Sequence, residues 1–152
     1  MPASSLHRSS RRDLLQRLGL AAMGLPLIAA GTSTAWAAAP ERVHGASPLC
    51  VEDAAALHEQ GLLFVDVRAP GEFEAGCIPH ALNIEFRRFQ QHTLAEFVAD
   101  DRPFVVYNGG AMCPRGAVCA GRAATFGYGR VYFFRGGFEA WVAAGNPVET
   151  PA

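Results

Sequence analysis

Lysine does not occur anywhere in the 152 residues, which excludes a Schiff-base enzyme or any chemistry run on a lysine general base. Basic residues are scarce altogether. From Ala38 onward nine arginines stand against thirteen aspartates and glutamates, a net of −4 with neutral histidines. No basic patch with interleaved aromatics appears, so the chain lacks the footprint of a nucleic-acid binder. Four cysteines and five histidines are present, but there is no C-x-x-C and the histidines are scattered. The spacings therefore match no zinc pattern, and neither a metal nor another cofactor is expected. The longest apolar run, Leu18 to Ala30, falls short of the ~20 residues a membrane span needs. Internal repeats and low-complexity tracts are also missing from the rest of the chain.

What the first residues do contain is targeting sequence. Ser10-Arg11-Arg12-Asp13-Leu14-Leu15 resembles a twin-arginine export signal, with the apolar run following it. Ala35-Trp36-Ala37 offers small residues where a signal peptidase reads, which puts the cut after Ala37. Residues 1–37 are accordingly read as a signal peptide and the protein as periplasmic, with no stable membrane span after cleavage. All four cysteines, Cys50, Cys77, Cys113 and Cys119, lie beyond the cut. In an oxidising compartment disulfides among them become possible.

The remainder has the length of one domain with a real core. Residues 38–48, with two prolines and a glycine, read as a flexible lead-in, 49–147 as the domain and 148–152 as a tail. Val51 to Gln60 has helical character, with Ser47 as an upstream cap and Gly61 as the stop. Leu62 to Val67 is a continuous apolar run, the mark of a strand covered on both faces, interrupted by Asp66. A carboxylate there needs a partner, either Arg68 two residues on or a group from another segment. Ala69 to Glu74 reads as a turn opening a short helix, and Ala81 to Ile84 as a short strand. Glu85 to Asp101 carries apolar residues at roughly helical recurrence, enough for one or two helices. Strands at Phe104 to Tyr107 and Val131 to Phe134 follow, with helices at Gly116 to Phe126 and Phe138 to Ala144. Strands alternating with helices predict an α/β fold, a central and mostly parallel sheet of about five strands with helices on both faces.

In such sheets ligands collect at the carboxyl ends of strands. Asn108-Gly109-Gly110-Ala111-Met112-Cys113-Pro114-Arg115 falls at one of them, between a buried strand and a helix start. A glycine-rich turn opening a helix makes a nest of backbone N–H groups at a positive helix end, suited to an anion. Asn108, Gly109, Gly110, Ala111, Met112 and Gly116 are the expected nest residues, Arg115 adds a fixed positive charge, and Cys113 is the only thiol in the turn. Both the helix end and Arg115 favour a thiolate, which makes Cys113 the candidate nucleophile. Cys119, inside the alanine-rich helix, reads as a small core residue.

Phe64-Val65-Asp66-Val67-Arg68, Glu72-Phe73, Gly76-Cys77-Ile78-Pro79-His80-Ala81-Leu82-Asn83-Ile84 and the run Gly127 to Trp141 together resemble the single-domain rhodanese family of sulfurtransferases. The resemblance implies a rhodanese-like fold, a structural role for Asp66 and Arg68, and sulfur chemistry on the loop. The family's loop typically opens with a cysteine directly after the strand and is six residues long, ending in arginine. This loop opens with Asn108, closes with Arg115 and is eight residues long. It also resembles a two-cysteine subset of exported members, of which it keeps the second cysteine, Cys113. Cys77 stands where the family has histidine, and His80 where it has glycine.

Three readings follow. The first is a persulfide carrier or thiosulfate-type sulfurtransferase acting through Cys113 and Arg115, its partners a small sulfur-containing anion and a thiol acceptor. The second is a rhodanese-homology module without turnover, binding an anion or a protein partner. The third is a thiol redox protein in which Cys113 cycles against Cys77, a supporting residue, or a partner's cysteine. Related phosphatases and arsenate reductases also have longer loops, but they need the opening cysteine that Asn108 replaces.

Overall fold

The computed structural model describes residues 38–99 and 102–151; the expected signal peptide, 1–37, lies outside the described residues. Five strands, β1 (Ala46–Leu49), β2 (Leu63–Asp66), β3 (Leu82–Asn83), β4 (Phe104–Tyr107) and β5 (Val131–Phe134), form one sheet in the order β1-β5-β4-β2-β3. All of its pairings are parallel. Five helices connect them: α1 (Val51–Glu59), α2 (Pro70–Glu74), α3 (Gln91–Ala95), α4 (Arg115–Thr125) and α5 (Gly137–Ala143).

Because successive strand residues face opposite ways, each central strand feeds two cores. Val65, Val67, Phe104, Val106, Val131 and Phe133 pack with Leu94 of α3 and with Ala117, Cys119, Ala120 and Ala123 of α4. Phe64, Val105, Tyr107 and Phe134 pack on the other face with Ala54 of α1 and Trp141 of α5. Short side chains on α4 let its axis approach the sheet closely, and Cys119 is among them, fully buried. The apolar runs of β2 and β4 are thus explained by burial on both faces.

Several boundaries move from expectation. The stretch 38–48, read as a flexible lead-in, supplies the edge strand β1, paired with β5 from Ala46↔Val131 to Leu49↔Phe134. Ser47 lies inside that strand and caps nothing. Cys50 caps α1 instead, its sulfur accepting from the Asp53 N–H at 3.4 Å. Glu85 to Asp101 yields one 3₁₀ turn, Phe86–Arg88, and the short α3. Glu149, in the stretch read as a tail, pairs its backbone with Cys77 in both directions, at 2.8 and 3.0 Å. Pro114 stands just ahead of α4 as its N-cap, already in helical conformation.

The register brings three strand ends together. Asp66 of β2 and Phe134 of β5 both align with Tyr107 at the end of β4. Whatever follows these residues, namely Arg68, the turn into α5, and the loop at 108–115, must share one neighbourhood.

Candidate functional site

Arg68 leaves the end of β2 with its guanidinium folded back on Asp66. Its Nε and Nη2 donate to the carboxylate at 3.0 and 2.7 Å, and its backbone N–H does so at 2.8 Å. The same Nη2 donates to the Gly76 carbonyl at 2.7 Å, and the guanidinium carbon lies 4.3 Å from the centre of the Phe138 ring. Asp66 is fully buried and Arg68 is 6% exposed. Burial opposes the guanidinium's charge, but the Asp66 hydrogen bond and its negative charge outweigh this and hold the Arg68 pKa above its ordinary value. Of the two partners left open for Asp66, Arg68 on its own segment makes the ion pair.

The loop itself is fixed through its carbonyls. Asn108 O accepts from Phe138 N–H and Gly109 O from Glu139 N–H, both at 2.8 Å. Gly110 O accepts from Cys113 N–H at 3.1 Å, and Ala111 O from Ala39 N–H at 2.8 Å. The Asn108 side chain, 1% exposed, donates through Nδ2 to the Cys113 carbonyl at 2.5 Å, while its Oδ1 has no hydrogen-bond partner. Gly137 makes the approach from α5 possible: at φ +60 it turns the chain, and a Cβ there would come within 2.4 Å of Asn108 O. Gly116 fits beneath the Asn108 amide and the Phe133 ring, where a Cβ would meet atoms at 3.2 and 3.0 Å. With the loop carbonyls and the Cys113 N–H engaged, the N–H groups of Gly116 and Ala117 in the first turn of α4 are left for a ligand. Helix geometry gives those first-turn donors no intrahelical partner, and no side chain caps them.

The loop walls a cleft of about 330 Å³ lined by Val67, Arg68, Glu72, Asn108, Gly109, Gly110, Met112, Cys113, Arg115 and Glu139. Sequence reasoning named most of this set, and the structure gathers Cys113, Arg115, Asn108, Gly109, Gly110, Met112 and Arg68 around one space. Asp66 holds Arg68 from behind. Ala111 and Gly116 serve the loop's frame rather than the cleft wall, one through its carbonyl and one through packing. Glu72 and Glu139 were missed as site residues although both lie in segments that carried the family resemblance; an exposed glutamate has no pattern that marks it.

The four cysteines are free thiols with different surroundings. Cys113 is half-buried and is the one that lines the cleft. Cys77 is 1% exposed and does not line it; burial, with help from Glu149 and Asp66, pushes its pKa up to about 11. Cys119 is fully buried, and burial pushes its pKa up to about 12. Cys50 is exposed at the start of α1; the Asp53 N–H favours its thiolate, but the Asp53 and Glu52 side chains outweigh that and shift its pKa up. Cys77 therefore sits apart from the cleft wall where a supporting role had been expected.

A parallel sheet with a buried Asp–Arg pair at one strand end and a glycine-rich loop opening a helix at the next invites comparison with known proteins. The model of the rhodanese-like domain matches residues 51–144. The chain belongs to the rhodanese-like family. Within it, the thiosulfate sulfurtransferase GlpE of Pseudomonas syringae is 37% identical over 95 residues, covering 59% of this chain and 81% of that protein. A sulfurtransferase of Allochromatium vinosum is 35% identical over 95 residues, covering 60% and 82%. Among solved structures, the BH2092 protein of Bacillus halodurans superposes with a TM-score of 0.63 at 23% identity, over 68% of this chain and 77% of its own. That last likeness speaks to the rhodanese-like fold alone, and it agrees with the five-stranded parallel sheet.

Proposed function

We propose that this rhodanese-like chain is an exported sulfurtransferase or persulfide carrier in which Cys113 bears the sulfur. The observation that carries the reading is that Cys113 alone among the four thiols lines the cleft, beside Arg115 and the uncapped start of α4. Sulfurtransferase activity is the named activity of the relatives, and the anion-suited cleft supports it here.

In the first step the Cys113 thiolate attacks the outer sulfur of a donor such as thiosulfate. The donor's S–S bond breaks, sulfite leaves with the electron pair, and Cys113 becomes a persulfide. In the second step an acceptor thiolate attacks the outer sulfur, and the Cys113 thiolate leaves. No external oxidant is consumed. Loop amides and Arg115 stabilise the negative charge at each stage, the electrostatic preorganisation expected of a fixed nest. Asn108 takes no covalent part, since an amide is no nucleophile at neutral pH; its work is to hold the Cys113 carbonyl.

Export rests on the arginine pair, the apolar run and the Ala35-Trp36-Ala37 site. Changing Arg11 and Arg12 together to lysine should strand the precursor in the cytoplasm, as fractionation reads; undiminished export would refute the route.

A binding module without turnover is the second reading, and Asn108 at the family's usual nucleophile position is the observation on its side. Redox cycling against Cys77 has the weaker support, given that thiol's burial and raised pKa. The test is steady-state sulfur transfer from thiosulfate to a small thiol. Turnover abolished by Cys113→Ser and kept by Cys50→Ser supports the sulfurtransferase; a folded wild-type protein with no turnover and no sulfur uptake leaves the binding module.

A further inference from the structure

Ala39 is 2% exposed although its neighbours Ala38 and Pro40 are exposed. It belongs to the core that holds Val65, Ala117 and Phe133, and two hydrogen bonds fix its backbone there. Its N–H donates to the Ala111 carbonyl at 2.8 Å, and its own carbonyl accepts from Arg135 Nε at 2.9 Å. Arg135 follows β5 and precedes the Gly136-Gly137 turn, which delivers the Phe138 and Glu139 N–H groups to the loop carbonyls of Asn108 and Gly109. Ala39 thus bridges the far side of the loop to the turn that grips its near side.

The position it grips matters. Gly110 O accepts from Cys113 N–H, so Gly110, Ala111, Met112 and Cys113 form one β-turn. The common turn types differ chiefly by a flip of the central peptide, which here joins Ala111 to Met112. In a trans peptide the C=O and N–H point opposite ways. Tying the Ala111 carbonyl to Ala39 therefore turns the Met112 N–H away from the strap, and Met112 borders the cleft. After two consecutive glycines, Gly109 and Gly110, the loop has backbone freedom that such a tie removes.

We propose that residues 38–40 are a strap whose Ala39–Ala111 hydrogen bond, backed by Arg135, sets the Met112 N–H as an anion donor beside Cys113. Ala39 and Arg135 are positioning residues for the anion, not groups that touch it. The proposal rests on the sulfur-transfer reading only for what the anion is. It also sets the expected signal cut, after Ala37, directly against an element the loop needs.

The test compares Cys113 alkylation by iodoacetate, an anion, with alkylation by neutral iodoacetamide in the full-length chain, read by peptide mass spectrometry. Exposed Cys50 is the internal reference. Ala39→Pro removes the donor and Arg135→Met removes the backing. Each should lower the iodoacetate-to-iodoacetamide rate ratio at Cys113 by roughly fivefold, the effect of losing one fixing hydrogen bond, without changing the ratio at Cys50. Arg135→Lys, which keeps a donor on a stem of similar length, should restore most of it. An unchanged ratio in folded Arg135→Met overturns the strap. Alkylation of buried Cys119 marks a variant that has not folded, and if Ala39→Pro fails in this way Arg135→Met decides alone. Failure of sulfur transfer with the ratio effect intact would remove the sulfurtransferase reading and leave the strap standing.

Discussion

Gly137→Ala should disable the loop from a distance. Gly137 has φ +60, a conformation that costs an L side chain about 1–2 kcal/mol. Its Cβ would also stand 2.4 Å from Asn108 O and 3.0 Å from Asn108 C and Gly109 C. Those are backbone atoms, held by the Phe138 and Glu139 N–H groups on the residues that follow, so they cannot swing aside as a side-chain tip would. Forcing them apart adds overpacking strain of about 1–3 kcal/mol, for a total near 3 kcal/mol. Gly145→Ala is the matched control: φ is +76, but nothing lies within 4 Å of the added carbon. It should lose only the conformational part, about 1–2 kcal/mol, and leave sulfur transfer untouched. Urea unfolding of both variants gives the two costs directly, with an unchanged slope confirming that stability alone has moved. Equal costs in the two variants, with the loop's activity intact in Gly137→Ala, would refute the contact-based reasoning.

Other expectations are more compact. Arg68→Met leaves the Asp66 carboxylate buried without its partner and should cost about 3–5 kcal/mol in urea unfolding; a cost under about 1 kcal/mol would mean that the ion pair is dispensable. Cys50→Ser keeps an acceptor for the Asp53 N–H and should stay within ~0.5 kcal/mol of wild type, whereas Cys50→Ala loses the cap and about 1 kcal/mol. Folding raises the pKa of Cys77 to about 11 and of Cys119 to about 12 from the ordinary 9.0. Their contribution is therefore fully present below pH 9.0 and is lost as pH climbs towards 11–12, because the unfolded thiols ionise first. Stability measured against pH should fall across that window, and Cys119→Ala should flatten part of the slope; a slope unchanged by the substitution would contradict it.

Much of the fold could be read because its signals are local and repeated. The apolar runs of β2 and β4 announce strands covered on both faces, and Val131 to Phe134 was bounded correctly by its turn-forming neighbours. The edge strand β1 escaped notice because Ala46 to Leu49 contains Ser47 and Pro48, residues poor in strand propensity. Proline is tolerated at an edge, and pairing with β5 decides the matter where propensity does not. For the site, Asn108 to Arg115 stood out through its glycines and its place after a buried run. The strap could not be seen: Ala39 is an alanine among alanines, and its hydrogen bond to Ala111 spans most of the domain. Cys77, a thiol in a family segment, could be read either as a partner of the loop or as a buried core residue, and only its 1% exposure in the fold shows that it is buried.

The most direct measurement is the mass of the folded protein after exposure to thiosulfate, followed by peptide mapping. The expected result is the gain of one sulfur atom on Cys113, absent in Cys113→Ser. A folded protein that gains no sulfur, or gains it on Cys50 instead, would contradict the central claim.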